Sequence, residues 1–456
     1  MGPEELQDFT GDVMENATSV AEEILKKQMT QQLVSALEVC ARCGICAESC
    51  HYYASEPEMK HIPATRGEAL RRVYRALFDP IGRIFPKWVG ASKLTEEELN
   101  VWVEMAFARC TLCERCTLNC PMGVDTAAMM QTVRKILTAT GKAPEILVQL
   151  VDAAIERGKN PELYREFFLE QVAELEKELQ EMTGDPKAHI PVEKVGAKIM
   201  CVPLSGTHTI LPAAHIMHKA GMDWTLSLFE AANYGVFLGD ITRAKEVAQR
   251  IVDEAKRLAV KDIVIVECGH AYTALRWEAP KWFGGPFPFR IRSCIEMIDE
   301  LIATKRIEVD PSANSEPITY HDSCNLARKG GLLEEPRRIL ASVAQDFREM
   351  VPNRHENYCC GGGAGLVAVE EWRDIRLKAG RMKADQIRAT GARIVATSCD
   401  NCRLQITDLA EHYSLDVKVM SLAELVVRAL VKKERDAPLP LMTQEDKAHI
   451  SPMQKG

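Results

Sequence analysis

The pattern of apolar and polar residues divides the chain into a helical first part and a second part in which strands and helices alternate. Up to about residue 190, apolar side chains recur at helical spacing, most regularly over 66–78 and 95–107. From about residue 196, short apolar and β-branched runs alternate with amphipathic stretches, which is typical of α/β units. Four of these runs are predicted strands: 198–203, 262–267, 318–321 and 393–397.

The helical first part has three predicted segments. Residues 1–35 form a helical lead-in, and residues 36–140 form one compact helical domain. The helix at 95–107 opens with a threonine and three glutamates, which suits a helix N-terminus. Residues 141–195 are increasingly charged until a glycine and a proline stop the pattern, so we interpret them as a helical linker.

The second part contains two segments with the same plan. In the first, IMCVPLS is followed by NYGVFLGD, a helix and IVIVECGHA. In the second, ITYHDSC is followed by CCGGGAGL, a helix and IVATSCDNC. This likeness indicates an internal duplication that covers about 196–303 and 304–432. The polar residues 433–456 are predicted to form a tail.

Composition and charge exclude several classes of protein. With 46% hydrophobic and 27% charged residues, the 456-residue chain has the balance of a globular protein and is not disordered as a whole. Its net charge of -8 is opposite in sign to that of a nucleic-acid-binding surface. We therefore expect no nucleic-acid partner.

The cellular compartment decides how the sixteen cysteines are interpreted. The first residues are acidic rather than basic and apolar, and no apolar run reaches the roughly 18–20 residues of a membrane-spanning helix. We therefore expect a cytoplasmic protein without a membrane span. In that reducing compartment, clustered thiols are metal ligands or redox groups rather than disulfides.

Eight of the cysteines fall into two runs with identical spacing. The runs are Cys40-x2-Cys43-x2-Cys46-x3-Cys50 and Cys110-x2-Cys113-x2-Cys116-x3-Cys120-Pro121. This spacing is typical of ferredoxins with two [4Fe-4S] cubane clusters, in which the fourth ligand of each cluster comes from the other run. The predicted ligand sets are Cys40, Cys43, Cys46 and Cys120 for one cubane, and Cys110, Cys113, Cys116 and Cys50 for the other. The alternative is a pair of zinc sites, because four thiolates also suit tetrahedral zinc.

Five more cysteines form a second constellation near the C-terminus: Cys324, Cys359, Cys360, Cys399 and Cys402. Adjacent cysteines do not both serve one compact tetrahedral site without strain, so this set indicates a larger or distorted metal centre. Gly361, Gly362 and Gly363 follow the vicinal pair and let the backbone approach a cofactor closely. The alternatives are a zinc ribbon and a redox-active Cys-x2-Cys pair with bystander thiols.

These motifs resemble a known family. TYHDSC at 319–324, CCGGG at 359–363 and TSCDNC at 397–402 are similar to the CCG motif of heterodisulfide reductase catalytic subunits and their relatives. A two-cubane module followed by two CCG domains resembles the D-type subunit of heterodisulfide reductase and the DsrK-type subunit of the sulfite-reduction-associated membrane complex. The resemblance covers about residues 36–430. It implies that the five C-terminal cysteines hold a noncubane [4Fe-4S] cluster at which disulfide chemistry occurs.

The resemblance also implies the fold class, which is α+β and multidomain. An N-terminal α-helical ferredoxin domain for two [4Fe-4S] clusters is followed by two pseudo-duplicated α/β CCG domains, at 196–303 and 304–432. The first copy is degenerate, because other residues stand at most of its ligand positions: Ser205, Asn233, Tyr234 and Ala271. Only Cys268 is retained, so one noncubane cluster is expected rather than two.

Further residues near these motifs are candidates for the site. Cys268 ends a predicted strand and either faces the cluster from the first copy or is a vestigial buried thiol. His321 and Asp322 precede a predicted ligand and either supply a proton or hydrogen bond to a thiolate or merely satisfy a turn. Cys201 lies in a predicted strand and Cys294 in a predicted amphipathic helix at 291–303, so both are interpreted as core thiols.

Basic residues and other motifs give no competing function. Arg66, Arg71, Arg72 and Arg75 lie close together on one predicted helix and are interpreted as a solvated or docking surface. No P-loop, dinucleotide fingerprint or Ser-His-Asp arrangement occurs in the sequence. We therefore expect neither flavin nor NAD on this chain.

The expected function is that of an iron-sulfur oxidoreductase subunit of a larger anaerobic respiratory complex. Electrons would pass through two cubanes to the noncubane cluster, which carries out or relays disulfide and thiol chemistry. Expected partners are a membrane cytochrome or a flavin-containing subunit at the inner face of the cytoplasmic membrane, and a disulfide on a protein or small molecule. The alternatives are a pure electron-transfer subunit of a dehydrogenase or class II benzoyl-CoA-reductase-type assembly, and a zinc-binding CCG docking module.

Overall fold

The computed structural model describes residues 17–204 and 207–431. The beginning of the predicted lead-in, Ser205 and the predicted tail lie outside these residues. Within them, the first part of the chain is helical and the second part contains two sheets with flanking helices, as the apolar pattern predicts.

The helices of the first part include the two most regular predicted ones. They are α1 (Ala17–Lys27), α2 (Gln31–Val39), α3 (Cys46–Ser49), α4 (His51–Ser55), α5 (Pro63–Phe78), α6 (Pro80–Ile84), α7 (Pro86–Val89), α8 (Glu96–Val103), α9 (Arg115–Leu118), α10 (Thr126–Ala139), α11 (Glu145–Lys159) and α12 (Pro161–Thr183). The predictions at 66–78 and 95–107 are confirmed by α5 and by α8, which continues as a π-helical turn over 104–108. Thr95 and Glu98 form a capping box at the start of α8.

Helix α10 is the centre of the helical part. Its side chains Met130, Val133 and Leu137 are completely buried, at the i, i+3 and i+7 positions of one helix face. This face packs against α1, α5 and α8. The cysteine-containing loops before α3 and α9 are thereby held on one side of a common core.

The interpretation of the arginines on α5 as a solvated or docking surface is wrong for two of them. Arg66 and Arg71 are only 3% and 2% exposed. Arg71 donates to the carbonyl of Leu37 and pairs with Glu68, and Arg66 donates to the thiol of Cys50 at 3.3 Å. Leu37 and Cys50 lie outside α5, so helical spacing alone does not reveal that the guanidinium groups are buried.

Both sheets are parallel throughout. Their strands are β1 (Ile199–Val202), β2 (Trp224–Leu226), β3 (Asp262–Ile265), β4 (Arg290–Ser293), β5 (Ile318–Tyr320), β6 (Ile394–Thr397) and β7 (Lys418–Ser421). The first sheet has the order β2-β1-β3-β4 and the second the order β5-β6-β7. The four predicted strands are confirmed by β1, β3, β5 and β6.

Strands β2, β4 and β7 were not predicted, and β4 corrects the helix prediction at 291–303. Its sequence places arginines on both sides of an isoleucine, which hides the strand signal. The helix begins only at Cys294, because the Ser293 side chain accepts from the N–H of Ile295 and the Glu296 carboxylate accepts from the N–H of Ser293.

The helices of the second part flank the sheets and follow their strands. They are α13 (Thr207–Lys219), α14 (Gly235–Leu238), α15 (Ile241–Arg257), α16 (Gly269–Thr273), α17 (Ala279–Trp282), α18 (Cys294–Ala303), α19 (Glu335–Val343), α20 (Arg373–Ala379), α21 (Arg381–Thr390), α22 (Asp400–His412) and α23 (Leu422–Ala429). Parallel strands end at the same edge of a sheet, where ligands bind in α/β folds. The cysteines at 268, 324 and 399 all follow such strand ends. The N–H of Asp400 donates to the Glu267 carbonyl at 2.9 Å and joins the two edges.

A buried carboxyl group in the first sheet domain makes stability depend on pH. Burial raises the pKa of Glu254 to about 7, although its oxygens are bonded to the N–H of Leu228 and the hydroxyl of Ser227. The folded state therefore favours the protonated form. The resulting stabilisation of the fold is fully present below the ordinary glutamate pKa of about 4.5. This stabilisation is lost as the pH rises through about 7.

We expect Glu254→Gln to remove this dependence. At pH 8 the variant should unfold at higher denaturant concentration than the parent protein, with a gain approaching about 3 kcal/mol, and at pH 4.5 the two should be alike. Anaerobic chemical denaturation at both pH values measures the difference. Glu246→Gln, at an exposed position of the same helix, is the control. Parallel pH profiles for the parent and Glu254→Gln would show that this carboxyl group is not the cause.

Candidate metal centres

The two cysteine runs of the helical part fold into loops of the same shape. In each, the second and fourth residues after the first cysteine have a left-handed backbone: Arg42 and Gly44 in the first run, Leu112 and Glu114 in the second. Positive φ values are uncommon for residues other than glycine and mark backbone that its surroundings hold in place. A short helix follows in both cases, α3 or α9, so the runs present their cysteines in the same way.

The first predicted ligand set lines one cavity, which we call the outer cavity. It contains the thiols of Cys40, Cys43, Cys46 and Cys120 and has a volume of about 490 Å³, including the space at its mouth. Cys43 is exposed there. Burial and the negative charges of Cys40, Cys120 and Cys43 raise the pKa of Cys46, so these thiols repel one another when they are ionised.

The second predicted set lines a neighbouring cavity of about 310 Å³, the inner cavity. It contains Cys50, Cys110, Cys113 and Cys116, and Cys116 also borders the outer cavity. Burial and the charges of Cys113, Cys50 and Cys110 raise the pKa of Cys116 well above its ordinary value. Buried Arg66 lies beside Cys50 as a fixed positive charge for this cavity, and sequence analysis missed that role.

The spacing of the thiols tests whether a single ion or a cluster fits. Four thiolates around one zinc ion lie about 3.8 Å apart, because each Zn–S bond is about 2.3 Å long. The described part of the chain contains one group of three metal-binding side chains whose ligand atoms all lie within 4.8 Å of one another. That group is His321, Cys360 and Cys402. The thiols of the outer and inner cavities are spread more widely, as a cluster of several irons requires.

The five C-terminal thiols meet at one buried place, which we call the five-thiol site. Cys324 follows β5, the vicinal pair lies in the loop before α20, and the last two thiols flank the start of α22. All five are at least 93% buried. Neighbouring thiols are hydrogen-bonded in sequence around the site: Cys324 to Cys359, Cys359 to Cys360, Cys360 to Cys402, and Cys402 to Cys399.

These contacts let some of the thiols ionise easily. Hydrogen bonds from the thiols of Cys113 and Cys324 lower the pKa of Cys359 to about 5. The neighbouring side chains of Cys359 and Cys402 hold the pKa of Cys360 well below its usual range. The donor thiols, Cys324 and Cys402, have raised pKa values in turn. Thiolates are the form that binds metal, so the site is a ready donor set for one.

Backbone amides of the glycines add donors to the same sulfurs. The N–H of Gly361 points at the Cys359 sulfur, with 3.5 Å between nitrogen and sulfur, and that of Gly362 donates to Cys360. Gly361 has a φ of 102°, and a Cβ there would lie 2.9 Å from the carbonyl oxygen of Arg376. A side chain at this position would therefore displace the loop that carries the thiols.

The inner cavity and the five-thiol site touch through sulfur. The thiol of Cys113 donates to Cys359, and the imidazole of His51 lies against the same Cys113 thiol. Arg328 fixes the junction, because it donates to the carbonyl of Cys113 at 2.6 Å and to that of Asn357 at 2.5 Å. Sequence spacing did not reveal these contacts, since they join segments more than 200 residues apart.

The structure places His321 and Asp322 in different roles. The ring of His321 is completely buried, and one of its nitrogens lies within 4.8 Å of the sulfurs of Cys360 and Cys402. Burial lowers the pKa of His321 to about 3, so the ring is neutral at physiological pH. Asp322 instead accepts two bonds from Arg337, at 2.6 and 2.7 Å, and its carboxylate is thereby committed to an ion pair.

Cys268 lies next to the five-thiol site at the edge of the first sheet. Its pKa is raised by burial and then by the charge of Cys399, which itself accepts a bond from the N–H of Gly269. The N–H of Asn233 donates to Nε2 of His270, so Nδ1 carries the proton and lies 3.5 Å from the Cys268 sulfur. Asn233 and Cys268 therefore pack around His270.

Two family models match the chain at these two regions. Residues 36–124 match a 4Fe-4S dicluster domain, and residues 318–407 match the CCG cysteine-rich domain. The chain is thus an iron-sulfur protein of the oxidoreductase class, with a dicluster domain in its N-terminal half and a CCG domain in its C-terminal half.

Whole-length relatives define the family more closely. The chain is 31% identical to the Hdr-like menaquinol oxidoreductase iron-sulfur subunit 2 of Archaeoglobus fulgidus, over 87% of this chain and 80% of the relative. It is 29% identical to the Hdr-like menaquinol oxidoreductase iron-sulfur subunit of Archaeoglobus profundus, over 87% of this chain and 79% of the relative. It is 24% identical to the D-type subunit of the dihydromethanophenazine:CoB–CoM heterodisulfide reductase of Methanosarcina mazei, over 89% and 96%. The chain belongs to the heterodisulfide reductase-like iron-sulfur subunits.

The resemblance stated from the motifs is therefore confirmed, and the chain is an iron-sulfur electron-transfer subunit of a heterodisulfide reductase-like oxidoreductase. Its relatives are subunits of such complexes, which supports redox partner subunits for this chain as well. Within residues 17–204 and 207–431, no helix has both the length and the apolar character needed to cross a bilayer.

Proposed function

We propose that the chain conducts electrons through two [4Fe-4S] cubanes to a noncubane [4Fe-4S] cluster at the five-thiol site, where thiol–disulfide chemistry takes place. The outer and inner cavities would each hold one cubane with the eight cysteines of the two ferredoxin-like runs. The five C-terminal cysteines would hold the third cluster. The observation that carries the proposal is the junction of the two cysteine-rich regions, where Arg328 donates to the carbonyl of Cys113 at 2.6 Å and the Cys113 thiol lowers the pKa of Cys359.

The three sites form one continuous row, which supports electron conduction. Cys116 borders both cavities, and Cys113 of the inner cavity is hydrogen-bonded to Cys359 of the five-thiol site. The inner cavity therefore lies between the other two. An electron that arrives at the outer cavity has a path along cysteine sulfurs to the buried end of the row.

The chemistry proposed at the buried end is the cleavage of a disulfide into two thiols, or the reverse oxidation. Cleavage breaks one S–S bond and takes up two electrons and two protons, and cubanes supply electrons one at a time. Iron-sulfur clusters provide the electron storage that this requires. The chain itself would contribute five thiolates to hold the cluster and amide donors from Gly361 and Gly362. It would also contribute the neutral ring of His321, one nitrogen of which lies within 4.8 Å of two of the sulfurs.

The outer cavity is the proposed docking place for a redox partner subunit. Its cysteines are flanked by exposed apolar side chains: Val39, Ile45, Leu118 and Met122. Exposed apolar groups gathered at one place mark contact surfaces. Since the inner cavity faces the five-thiol site, the outer cavity with exposed Cys43 is the accessible end of the row. A partner such as a membrane cytochrome or flavin-containing subunit, at the inner face of the membrane, would exchange electrons here. A relative's name, menaquinol oxidoreductase, supports that setting.

The proposed domain limits follow from a duplication of the CCG fold, at 196–303 and 304–432. In both halves the last strand ends in a serine that caps the next helix through a capping box: Ser293 with Glu296, and Ser421 with Glu424. Both also place a cysteine directly before a helix at the end of a strand, Cys268 or Cys399. On this view the first copy lost its cluster and kept its fold.

A zinc ion at the five-thiol site is the second candidate. It is favoured by one observation: the ligand atoms of His321, Cys360 and Cys402 lie close enough together for a single ion. The chain would then end its electron path at the inner cubane and use the CCG domain for docking. The metal content of the purified protein separates the two candidates.

The functional proposal is tested by paramagnetic resonance on anaerobically purified protein. We expect oxidation in the presence of 2-mercaptoethanol, used as a thiol probe, to produce a signal that is absent without thiol and distinct from those of the cubanes. A signal that is identical with and without thiol would contradict substrate chemistry at the five-thiol site. It would leave the chain as a pure electron conductor.

A further inference from the structure

A buried lysine lies beside the five-thiol site and was not among the candidates from sequence. The side chain of Lys383, on α21, is completely buried. Its ammonium group donates to Oδ1 of Asn357 at 2.6 Å and lies 3.6 Å from the sulfur of Met350. No carboxylate oxygen of the described residues lies within 4 Å of it, unlike most ammonium groups in protein interiors.

Three of the five thiols act on the charge of Lys383. Burial lowers the pKa of Lys383 to about 8, and the charge of Cys360 is the largest influence that opposes this, followed by Asp322, Cys359 and Cys402. Asp322 already accepts two bonds from Arg337 and one from the backbone N–H of Arg354. A buried cation without a paired anion is strongly destabilising, so the fold retains Lys383 for a negative group that the thiolate site provides.

Lys383 also determines the orientation of two side chains in front of it. Because the ammonium group binds Oδ1 of Asn357, the amide nitrogen Nδ2 must face the other way. It donates to the carbonyl of Asp322 at 2.6 Å and faces Nδ1 of His321 at 3.4 Å. Nδ1 is then the acceptor, so the proton of the neutral imidazole is on Nε2. That nitrogen has no hydrogen-bond partner among the described residues.

We propose that Lys383 is the positive counter-charge of the cluster at the five-thiol site, and that through Asn357 it holds His321 with its Nε2–H available to the sulfurs. This inference rests on the proposed function, because it requires a cluster at that site. Lys383 is a positioning residue that touches no substrate. Its charge stabilises the reduced, more negative state of the cluster and so raises the reduction potential. At the inner cavity, Arg66 beside Cys50 is likewise a buried positive charge next to a cysteine sulfur.

The test compares Lys383→Met with Lys383→Gln and with the control Lys378→Met, which replaces an exposed lysine just before α21. Methionine removes both the charge and the bond to Asn357, whereas glutamine removes the charge and keeps a donor. The readout is the midpoint potential of each cluster in the loaded protein, from redox titration followed by paramagnetic resonance. We expect both Lys383 variants to lower the midpoint potential of the third cluster. At a fixed solution potential, the ratio of oxidised to reduced cluster should rise at least tenfold, which corresponds to a shift of about 59 mV for one electron. The cubane potentials should stay as in the parent.

The outcomes separate this inference from the proposed function. If the parent protein holds no third cluster, the functional proposal fails, whatever Lys383 does. If the third cluster is present and keeps its potential in both Lys383→Met and Lys383→Gln, the counter-charge role is refuted. A Lys383→Met protein that loads only the cubanes, beside a fully loaded Lys378→Met, supports the role, because a cluster without its counter-charge is less stable.

Discussion

Replacing Cys359 by serine should remove the third cluster and leave the two cubanes in place. The Cys359 sulfur is the junction of the row: it is hydrogen-bonded to Cys113 on one side and to Cys324 and Cys360 on the other. Serine has nearly the same size but does not ionise at neutral pH, so a readily ionised ligand of the site is lost. We expect the thiol-dependent paramagnetic signal to disappear and thiol–disulfide turnover to fall at least about a hundredfold.

A matched control for this variant is Cys294→Ser. Cys294 is also buried, but it lies at the start of α18, away from the five-thiol site, and serine is well tolerated at a helix start. The control should retain both the signal and the turnover. If Cys359→Ser keeps the signal and the turnover as well, the assignment of chemistry to the five-thiol site is wrong, even if the cubanes conduct electrons as proposed.

Replacing Arg134 by methionine should cause the largest loss of stability. Arg134 on α10 is completely buried, and its guanidinium donates to four backbone carbonyls from three regions of the chain, at 2.8 to 3.1 Å: those of Ala106, Cys110, Phe237 and Ala364. Burial lowers its pKa to about 10, so the group stays charged at neutral pH. Methionine has a similar length but leaves four buried carbonyls without a donor, each of which costs about 1–3 kcal/mol.

We expect a destabilisation of about 4 kcal/mol after partial relaxation, measured by anaerobic denaturation of the loaded protein. Arg72→Met on α5, at an exposed position, is the control and should change the stability by less than about 0.5 kcal/mol. Arg134 also joins the carbonyl of Cys110 to the loop that contains Gly363 and Ala364, so the variant should slow electron transfer from the inner cubane to the five-thiol site. Equal stability of the two variants would contradict the bridging role.

Local sequence signals were sufficient where the structure is built from local contacts. The apolar runs at β1, β3, β5 and β6 are buried strands, and Thr95 with Glu98 caps a helix as the sequence predicts. The spacing of the ferredoxin cysteines determines which thiols share a cavity, since three of each four ligands lie within seven residues. Their binding of iron, like that of the five C-terminal cysteines, stays a prediction.

Sequence signals failed where a residue depends on partners far along the chain. Arg66 looks like a surface residue of an amphipathic helix, yet its partner is the Cys50 thiol beneath it. Lys383 lies in a polar helical segment, and only the folded chain brings its ammonium group to Asn357 beside the five-thiol site. Strand β4 carries two arginines because it is an edge strand, so its composition suggests a helix or loop instead. In each case tertiary contacts outweigh the local pattern.

The central claim, that thirteen cysteines hold three iron-sulfur clusters, is tested most directly by counting metal and sulfide. Anaerobically purified protein should contain about twelve iron ions and about twelve acid-labile sulfides per chain, with no stoichiometric zinc. Cys359→Ser should contain about eight of each, because the two cubanes do not depend on that thiol. About eight irons together with one zinc ion in the parent protein would contradict the claim, and the CCG domain would then hold a zinc ion in place of a third cluster.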